Sequence, residues 1–531
     1  MNSDFKNVKT FRIAELIYFL YFSVMTLTKG LGLYEGMWPF TVALWTSTIL
    51  ILIKLSLTKH TIAEWLYIFS MLALSILIWK NSGQTGILMY ATMIIALKNV
   101  SVKHLFSLGI VLWGGTFVLQ TILTLTGIRP DIFVIHEKLG LGFIIRWSLG
   151  QPHPNVLQIT FLIICAMILY LTNLKGRKLL IATAIMFVAN MYVFFYSVSY
   201  TGLILVIFYL ATNLYVSFQT NLSRFEKIII ELIFPACAAF SLLGPVFFPK
   251  KLWNLCNKIL NTRFNIAKHH LTLDPITLFG SRPSDAIPEG LHNLDSSYVF
   301  ALMRYGILLF ALMCIAYMAY IHVCTKEKKY KELAITVSLS VAAIAEPFFV
   351  NSSFKNISLL FVGEFIFLQL EAFSMKKPSS FFNKKIGLCT LGEKEIGIPT
   401  DAVFHVVKSY KDCIQKKGKI IVFAALCTGI LAGTLFAVFA DIPTRYYAIH
   451  TSTQARRDEA VLLDLQNLPD DFEGKILNYQ DAQTLMNVFE GNISSMEYVR
   501  GIVSCGLWCS LFCGLFISIF LTCRTKKKSC T

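Results

Sequence analysis

Charge is scarce in this chain. Asp, Glu, Lys and Arg supply only 15% of 531 residues, against 55% hydrophobic content and a mean hydropathy of +0.62. A soluble enzyme of this size needs more polar surface than that, so a soluble multidomain protein is excluded. Acids are scarcer than bases, 31 against 48, leaving a formal charge of +17. The excess lies in short connections and not along one helical face or basic arm, which excludes nucleic acid as a partner and points to membrane orientation. An internal repeat is also missing, which argues against a transporter built from two related halves. No Asp-x-Asp metal pair stands out, so any catalysis is expected to run without a metal or cofactor, with cationic side chains in its place.

Thirteen cysteines are present, but most fall inside apolar segments, where cysteine behaves as a small hydrophobe, and no disulfides are expected. Cys505, Cys509 and Cys513 are spaced to share one face of the last apolar run, as small-residue helix packing requires. The opening "MNSDFKNVKTFRIAELIYFLYFSVMTL" lacks a small-residue cleavage pattern, so the first helix is expected to stay as a signal anchor.

What the chain has in quantity is long apolar runs. They predict an all-α polytopic membrane protein with about 14 spans, near 12–29, 37–54, 61–79, 84–97, 104–127, 156–174, 179–195, 200–216, 228–247, 298–321, 332–350, 357–374, 420–440 and 500–523. The run at 84–97 is short enough to be re-entrant. Alternate connections are basic, among them "NLKGRK", "CTKEKKYKE", "MKKPSSFFNKK" and "RTKKK", which places them and both termini on the cytoplasmic side. Three long connections, about 128–155, 248–297 and 441–499, then face outside, where function is expected.

The first of these carries Arg129, His136, Arg146 and His153 before a span that starts near Pro154 and Asn155. Proline suits a helix start, and the free N–H groups there favour an anion. "HPN" therefore reads as a helix entrance facing a negatively charged ligand, while Arg146 and His153 as markers of the headgroup boundary is the competing reading. In "YSVSYTGLIL", Ser197, Ser199 and Thr201 form a tight outside turn whose hydroxyls cap helix ends or bind substrate.

The second connection places Arg263 in an amphipathic, interfacial helix and Arg282 in a Gly/Pro-rich turn, with His292 and Asp295 opening the next span. Arg304 follows inside that span, in one sector with Asp295 and Tyr298. An arginine so deep needs a water-filled cavity or an acidic partner. Arginine binds two phosphate oxygens at once and does not titrate away. Several arginines with a histidine beside a carboxylate suit a site that holds a pyrophosphate and deprotonates a hydroxyl, as transfer from a polyprenyl-pyrophosphate sugar demands.

"RWSLGQPHPN", "SVSYTGLIL", "TRFNIAK…PITLFG" and "HNLDSSYVFALMRYGI", in this order, resemble the O-antigen polymerase and ligase superfamily, specifically the Wzy-type polymerases of capsule and exopolysaccharide clusters. The resemblance covers about residues 10–375. It implies a GT-C-like glycosyltransferase of the bacterial cytoplasmic membrane that joins undecaprenyl-diphosphate-linked oligosaccharides at the outer face, with a chain-length regulator and a flippase as partners. Arg146 and Arg263 would bind pyrophosphate, and His292 would be the base or hold the acceptor, with Asp295 as the other candidate base. Arg282 and Arg304 join them by placement, as do His153, Asn155 and Ser199. A ligase of the same superfamily, a lipid-linked oligosaccharide flippase and a nonenzymatic scaffold are the rival functions.

The expected organisation is a polymerase-like core over 1–375, a cytoplasmic linker over 376–419 and a two-span hairpin over 420–531. The hairpin's outside segment has helical periodicity with a Pro-Asp break and suggests a small helical cap.

Overall fold

The computed structural model describes residues 8–138, 142–287, 291, 293–376, 380–387, 389, 391–399, 401–440, 447–450, 460–462, 474–477 and 493–529. It is mainly helical, and among these residues eleven helices are long and apolar enough to cross a membrane. The protein is a multi-pass membrane protein. The chain divides into two compact units, one of Arg12–Phe133 with Trp147–Lys394, the other of Met1–Phe11, Val134–Arg146 and Glu395–Thr531.

The larger unit is a helical bundle. Its helices are α1 (Ile13–Gly30), α2 (Trp38–Ser56), α3 (Ile62–Ser82), α4 (Gly86–Ile95), α5 (Val102–Leu125, with a π-helical turn at Ile110–Gly114) and α6 (Pro154–Leu171). After these come α7 (Gly176–Ser197), α8 (Tyr200–Phe218), α9 (Arg224–Phe247), α10 (Lys250–Ile259) and α11 (Arg263–Leu273). The unit closes with α12 (Ser297–Glu327), α13 (Tyr330–Ala342) and α14 (Ser358–Lys376).

Three of the expected spans are helices outside the set of eleven. α1 is interrupted in its apolar character by Glu15 and Lys29, and α4 and α13 have ten and thirteen residues. At about 1.5 Å per residue, α4 covers about half of a bilayer's hydrocarbon core. It lies inside the bundle, with Met89, Tyr90, Ala91, Met93 and Ile95 buried. Backbone that stops short at such a depth must find its hydrogen bonds within the protein. Tyr18 Oη donates to Met93 O at 2.9 Å and so serves one of the carbonyls that the end of α4 leaves open.

α13 was expected to run on to residue 350, but it ends at Ala342 and gives way to turns and a short 3-10 stretch at Pro347–Phe349. Pro347 has no N–H to continue the helix and restrains Glu346 to an extended conformation, φ −134° and ψ 136°. Neighbouring helices and Asn356 on the connection itself supply the missing partners. Tyr90 Oη donates to Phe348 O at 2.8 Å, Asn356 Nδ2 to Phe349 O at 2.9 Å, and Ser297 Oγ to Glu346 O at 2.5 Å. Glu346 and Lys355 are thereby carried on a buried, non-helical connection.

In the smaller unit, α15 (Asp401–Phe439) and α16 (Ile493–Ser529) form the hairpin. The expected linker is thus helical from Asp401, and the core unit continues to Lys394, past residue 375. The two helices approach through glycines: a Cβ on Gly429 would stand 2.6 Å from Gly506 O. Thr428 Oγ1 donates to Cys513 Sγ at 3.2 Å and Cys505 faces Ala432 O, so both cysteines are part of this close packing. The ten described cysteines are free thiols. Where the expected helical cap is described, it consists of short strands, Tyr447–His450 paired on either side with Ala460–Leu462 and Gly474–Leu477, because β-branched and aromatic residues in runs of three or four residues suit a ladder better than a helical turn.

Candidate functional site

The α6 entrance forms as its sequence predicts. Pro154 opens the helix, and His153 caps it with Nδ1 accepting from Asn155 N at 3.1 Å, which puts the neutral ring's proton on Nε2. The preceding turn has Leu149 and Gly150 at φ +47° and +79°. Asp131 holds it, its two carboxylate oxygens accepting from Leu149 N at 3.2 Å and Gly150 N at 3.0 Å. Arg146 is buried near the end of the strand Gly142–Trp147, in the smaller unit.

Ser199 has a capping role. Its Oγ accepts from Gly202 N at 3.4 Å at the start of α8 and donates to Asn155 Oδ1 at 3.0 Å, tying that helix to α6. Ser197 Oγ donates to Gln158 Oε1 at 2.9 Å. Gly202 lies so close to α6 that a Cβ would stand 2.1 Å from Gln158 Cγ. The hydroxyl-rich turn is therefore a helix joint, and Asn155 is one of its partners.

Arg263 is the centre of the constellation that the fold assembles. Asn261 and Thr262, at φ +53° and +68°, turn the chain so that α11 begins with Arg263 pointing inward, where it is buried. Its Nε lies 3.1 Å from Asp295 Oδ2 and its Nη2 donates to Glu346 Oε1 at 3.3 Å. These two acids meet because Ser297 N donates to Ala343 O at 2.8 Å while its side chain holds Glu346 O, joining the start of α12 to the end of α13. Asp295 thus precedes α12 and does not lie on its face. Its carboxylate remains 38% exposed, open to a ligand. Burial raises its pKa above the usual carboxylate range, against the opposite pull of Arg263.

Lys355 completes this group. It is buried, donates to Val156 O at 3.4 Å in the first turn of α6 and feels the charge of Glu346. Burial lowers its pKa to about 7, Glu346 raises it and Lys29 lowers it. Sequence reading missed both Glu346 and Lys355. The one local signal was an acid directly before proline, and a lysine nine residues on, in an otherwise apolar stretch.

Arg304 belongs elsewhere. It was expected to share a sector with Asp295, but it lies in a π-helical turn, Ala301–Tyr305, and turns into a second buried network. Its Nη1 donates to Asp274 Oδ2 at 3.0 Å and its Nη2 lies 2.9 Å from His270 Nδ1. Asp274 also accepts from Ser284 N at 2.7 Å, and His270 Nε2 lies 2.9 Å from Leu291 O. The second reading of a deep arginine, a structural pair with an acid, is the one that this geometry fits. Gly280, at φ +76°, allows the approach, since a Cβ there would stand 2.0 Å from Arg304 O. α11 is also not the amphipathic helix expected, for it buries Arg263, Phe264, Ala267 and His270, and α10 is the amphipathic one. Arg282 is exposed, with Nε over Gly83 at the end of α3. His292 lies outside the described residues, as does the side chain of His136.

No family model, curated protein or solved structure matches this chain. Among the described residues no three acids, histidines or cysteines converge as ligands of a metal ion. The chemistry that the Arg263 group itself offers is a half-open carboxylate of raised basicity, an arginine joined to it, a second acid behind them and a buried amine beside a helix N-terminus.

Proposed function

We propose that this chain is a glycosyltransferase of the Wzy polymerase type, with about 14 spans and a GT-C-like core, which joins oligosaccharide units carried on a polyprenyl pyrophosphate. The observation that carries the reading is Arg263 held between Asp295 and Glu346. Asp295, or His292 close to it in sequence, takes the proton of the acceptor sugar hydroxyl. The resulting oxygen attacks the anomeric carbon of the donor, the bond from that carbon to the pyrophosphate oxygen breaks, and the lipid pyrophosphate leaves with the electron pair.

With Asp295 as the base, Arg263 gains a second role. While both acids are ionised, their charges more than balance the guanidinium. Once Asp295 is protonated, one charge disappears and Arg263 can stabilise the negative charge that develops on the leaving group, the moment at which such stabilisation lowers the barrier. Lys355 and the α6 N-terminus add positive potential, and Arg282 is a further candidate for the pyrophosphate. The basic connections support an outward-facing site, since the loops that bear Arg263 and Asp295 alternate with them.

Reconstituted proteoliposomes supplied with lipid-linked repeat units on the outer face test the proposal. A ladder of lengthening lipid-linked glycans, abolished by Asp295→Asn and by Arg263→Ala in protein that inserts normally, is the expected result. Units that cross the bilayer without lengthening would make the chain a flippase, and ladders unchanged in both variants would remove this group from catalysis.

A further inference from the structure

A second polar cavity, of about 390 Å³, lies where the N-termini of α1 and α3 meet the end of α4 and one face of α14. The acids around it are costly within a membrane bundle. Glu64 and Glu364 sit inside apolar spans, and an ionisable group in such a position marks a functional site unless a partner explains it. Two of the acids have such partners. Glu64 pairs with Lys98, and Glu15 lies 3.2 Å from His104 Nδ1 and accepts from Ser101 N at 3.3 Å.

Of the remaining charges in the lining, Glu364 is half-buried within its span, while Arg12 and Glu371 are exposed and the charge of Arg12 also reaches Glu393. The side chains of Arg12, Glu364 and Glu371 make no hydrogen bond or close ion pair among the described residues. Glu364 and Glu371 are two turns apart on α14, on one face, with buried Phe367 between them. Two carboxylates flanking an aromatic ring are suited to an ammonium group, which gains from the ring as well as from the charges. Arg12 offers its planar donors to an oxyanion from another wall of the same cavity. The acids and histidines here do not converge as a metal ion requires, so an organic ammonium fits better than an inorganic cation. Lys59, Lys98, Lys103, Lys384 and Lys385 cluster around this end of the bundle, the pattern of a phospholipid headgroup zone.

We infer that this cavity binds an aminoalkyl phosphate, ammonium toward Glu364 and Glu371 and phosphate toward Arg12, supplied by a phosphatidylethanolamine headgroup or by a free phosphoethanolamine. The inference does not depend on the glycosyl-transfer reading, because it shares no residue with the Arg263 group.

The test is native mass spectrometry of the full chain in detergent, titrated separately with phosphatidylethanolamine, phosphatidylglycerol and soluble O-phosphoethanolamine. Wild type should retain phosphatidylethanolamine over phosphatidylglycerol, and Glu364→Gln with Glu371→Gln should weaken that binding on the order of tenfold. Binding of O-phosphoethanolamine alone, with the same loss in the double variant, would support the site and assign it to a soluble ligand. Equal retention of both lipids together with no binding of O-phosphoethanolamine overturns the proposal, and so does a double variant that binds like wild type. Glu371→Gln alone changes an exposed side chain, and should still weaken binding if the double variant fails to fold.

Discussion

Replacing Arg304 by methionine separates a structural arginine from a substrate-binding one. Arg304 and Asp274 are both buried, and the substitution leaves the Asp274 carboxylate with Ser284 N and His270 as its remaining partners. Breaking a buried ion pair from one side costs about 3–5 kcal/mol. His270 makes that cost depend on pH. Its Nδ1 lies 2.7 Å from Asp274 Oδ2 and 2.9 Å from Arg304 Nη2, so a lone pair there suits the arginine and a proton suits the aspartate. In the wild type, burial first, with the Arg304 charge adding to it, holds the His270 pKa below its ordinary 6.5 even though Asp274 raises it. Burial pushes Asp274 up, but the hydrogen bonds from His270 and Ser284 N and the charge of Arg304 outweigh it and keep its pKa low. A histidine with a lowered folded pKa contributes stability above its ordinary value and loses it as pH falls. Without Arg304 the shift reverses, because Asp274 now favours the imidazolium. A raised folded pKa contributes stability below the ordinary value and loses it as pH rises. The loss should therefore be full at pH about 8 and much smaller at pH about 5.5, where His270 replaces the missing cation. Thermal unfolding of the detergent-solubilised protein should show a drop of roughly 5–15 °C at the higher pH. An equal drop at both pH values would refute the exchange of partners, and no drop at either would refute the buried pair as a structural element.

Other perturbations address the remaining parts. Arg263→Lys keeps the charge but cannot face Asp295 and Glu346 with two separate nitrogens of one plane, so polymer ladders should fall on the order of 10²-fold, and near-normal turnover would count against the guanidinium geometry. Lys355→Met should stabilise the protein by a few kcal/mol, roughly, below pH about 7. A lysine whose folded pKa is lowered to about 7 destabilises most where it is protonated in both states, and the benefit should vanish as pH rises toward its ordinary value near 10.5. Unfolding midpoints at pH 6 and 9 check the sign. Gly280→Ala should cost about 2 kcal/mol or more from left-handed backbone and contact with Arg304 O, read as a lower yield of folded protein.

Sequence alone determined what depends on near neighbours. Apolar runs located the helices, the His153-Pro154-Asn155 triplet located a helix start, and Ser197, Ser199 and Thr201 located a tight turn with hydroxyls able to cap a helix, because each depends on residues a few positions apart. Arg263 was also legible as a residue of interest, from its type and its position near a membrane boundary. What it pairs with was not. Glu346 is 83 residues away, and it reaches Arg263 only because Pro347 stops α13 early and Ser297 holds the freed segment against the start of α12. Arg304 shows the same limit from the other side. Its position on one helix suggested Asp295, while a π-helical turn and the close contact at Gly280 direct it to Asp274, 30 residues earlier. Hydropathy acts on each segment separately, so the sequence displays it directly. Charge pairing depends on which helix ends become neighbours, and in a bundle that is decided by the packing of all the helices together.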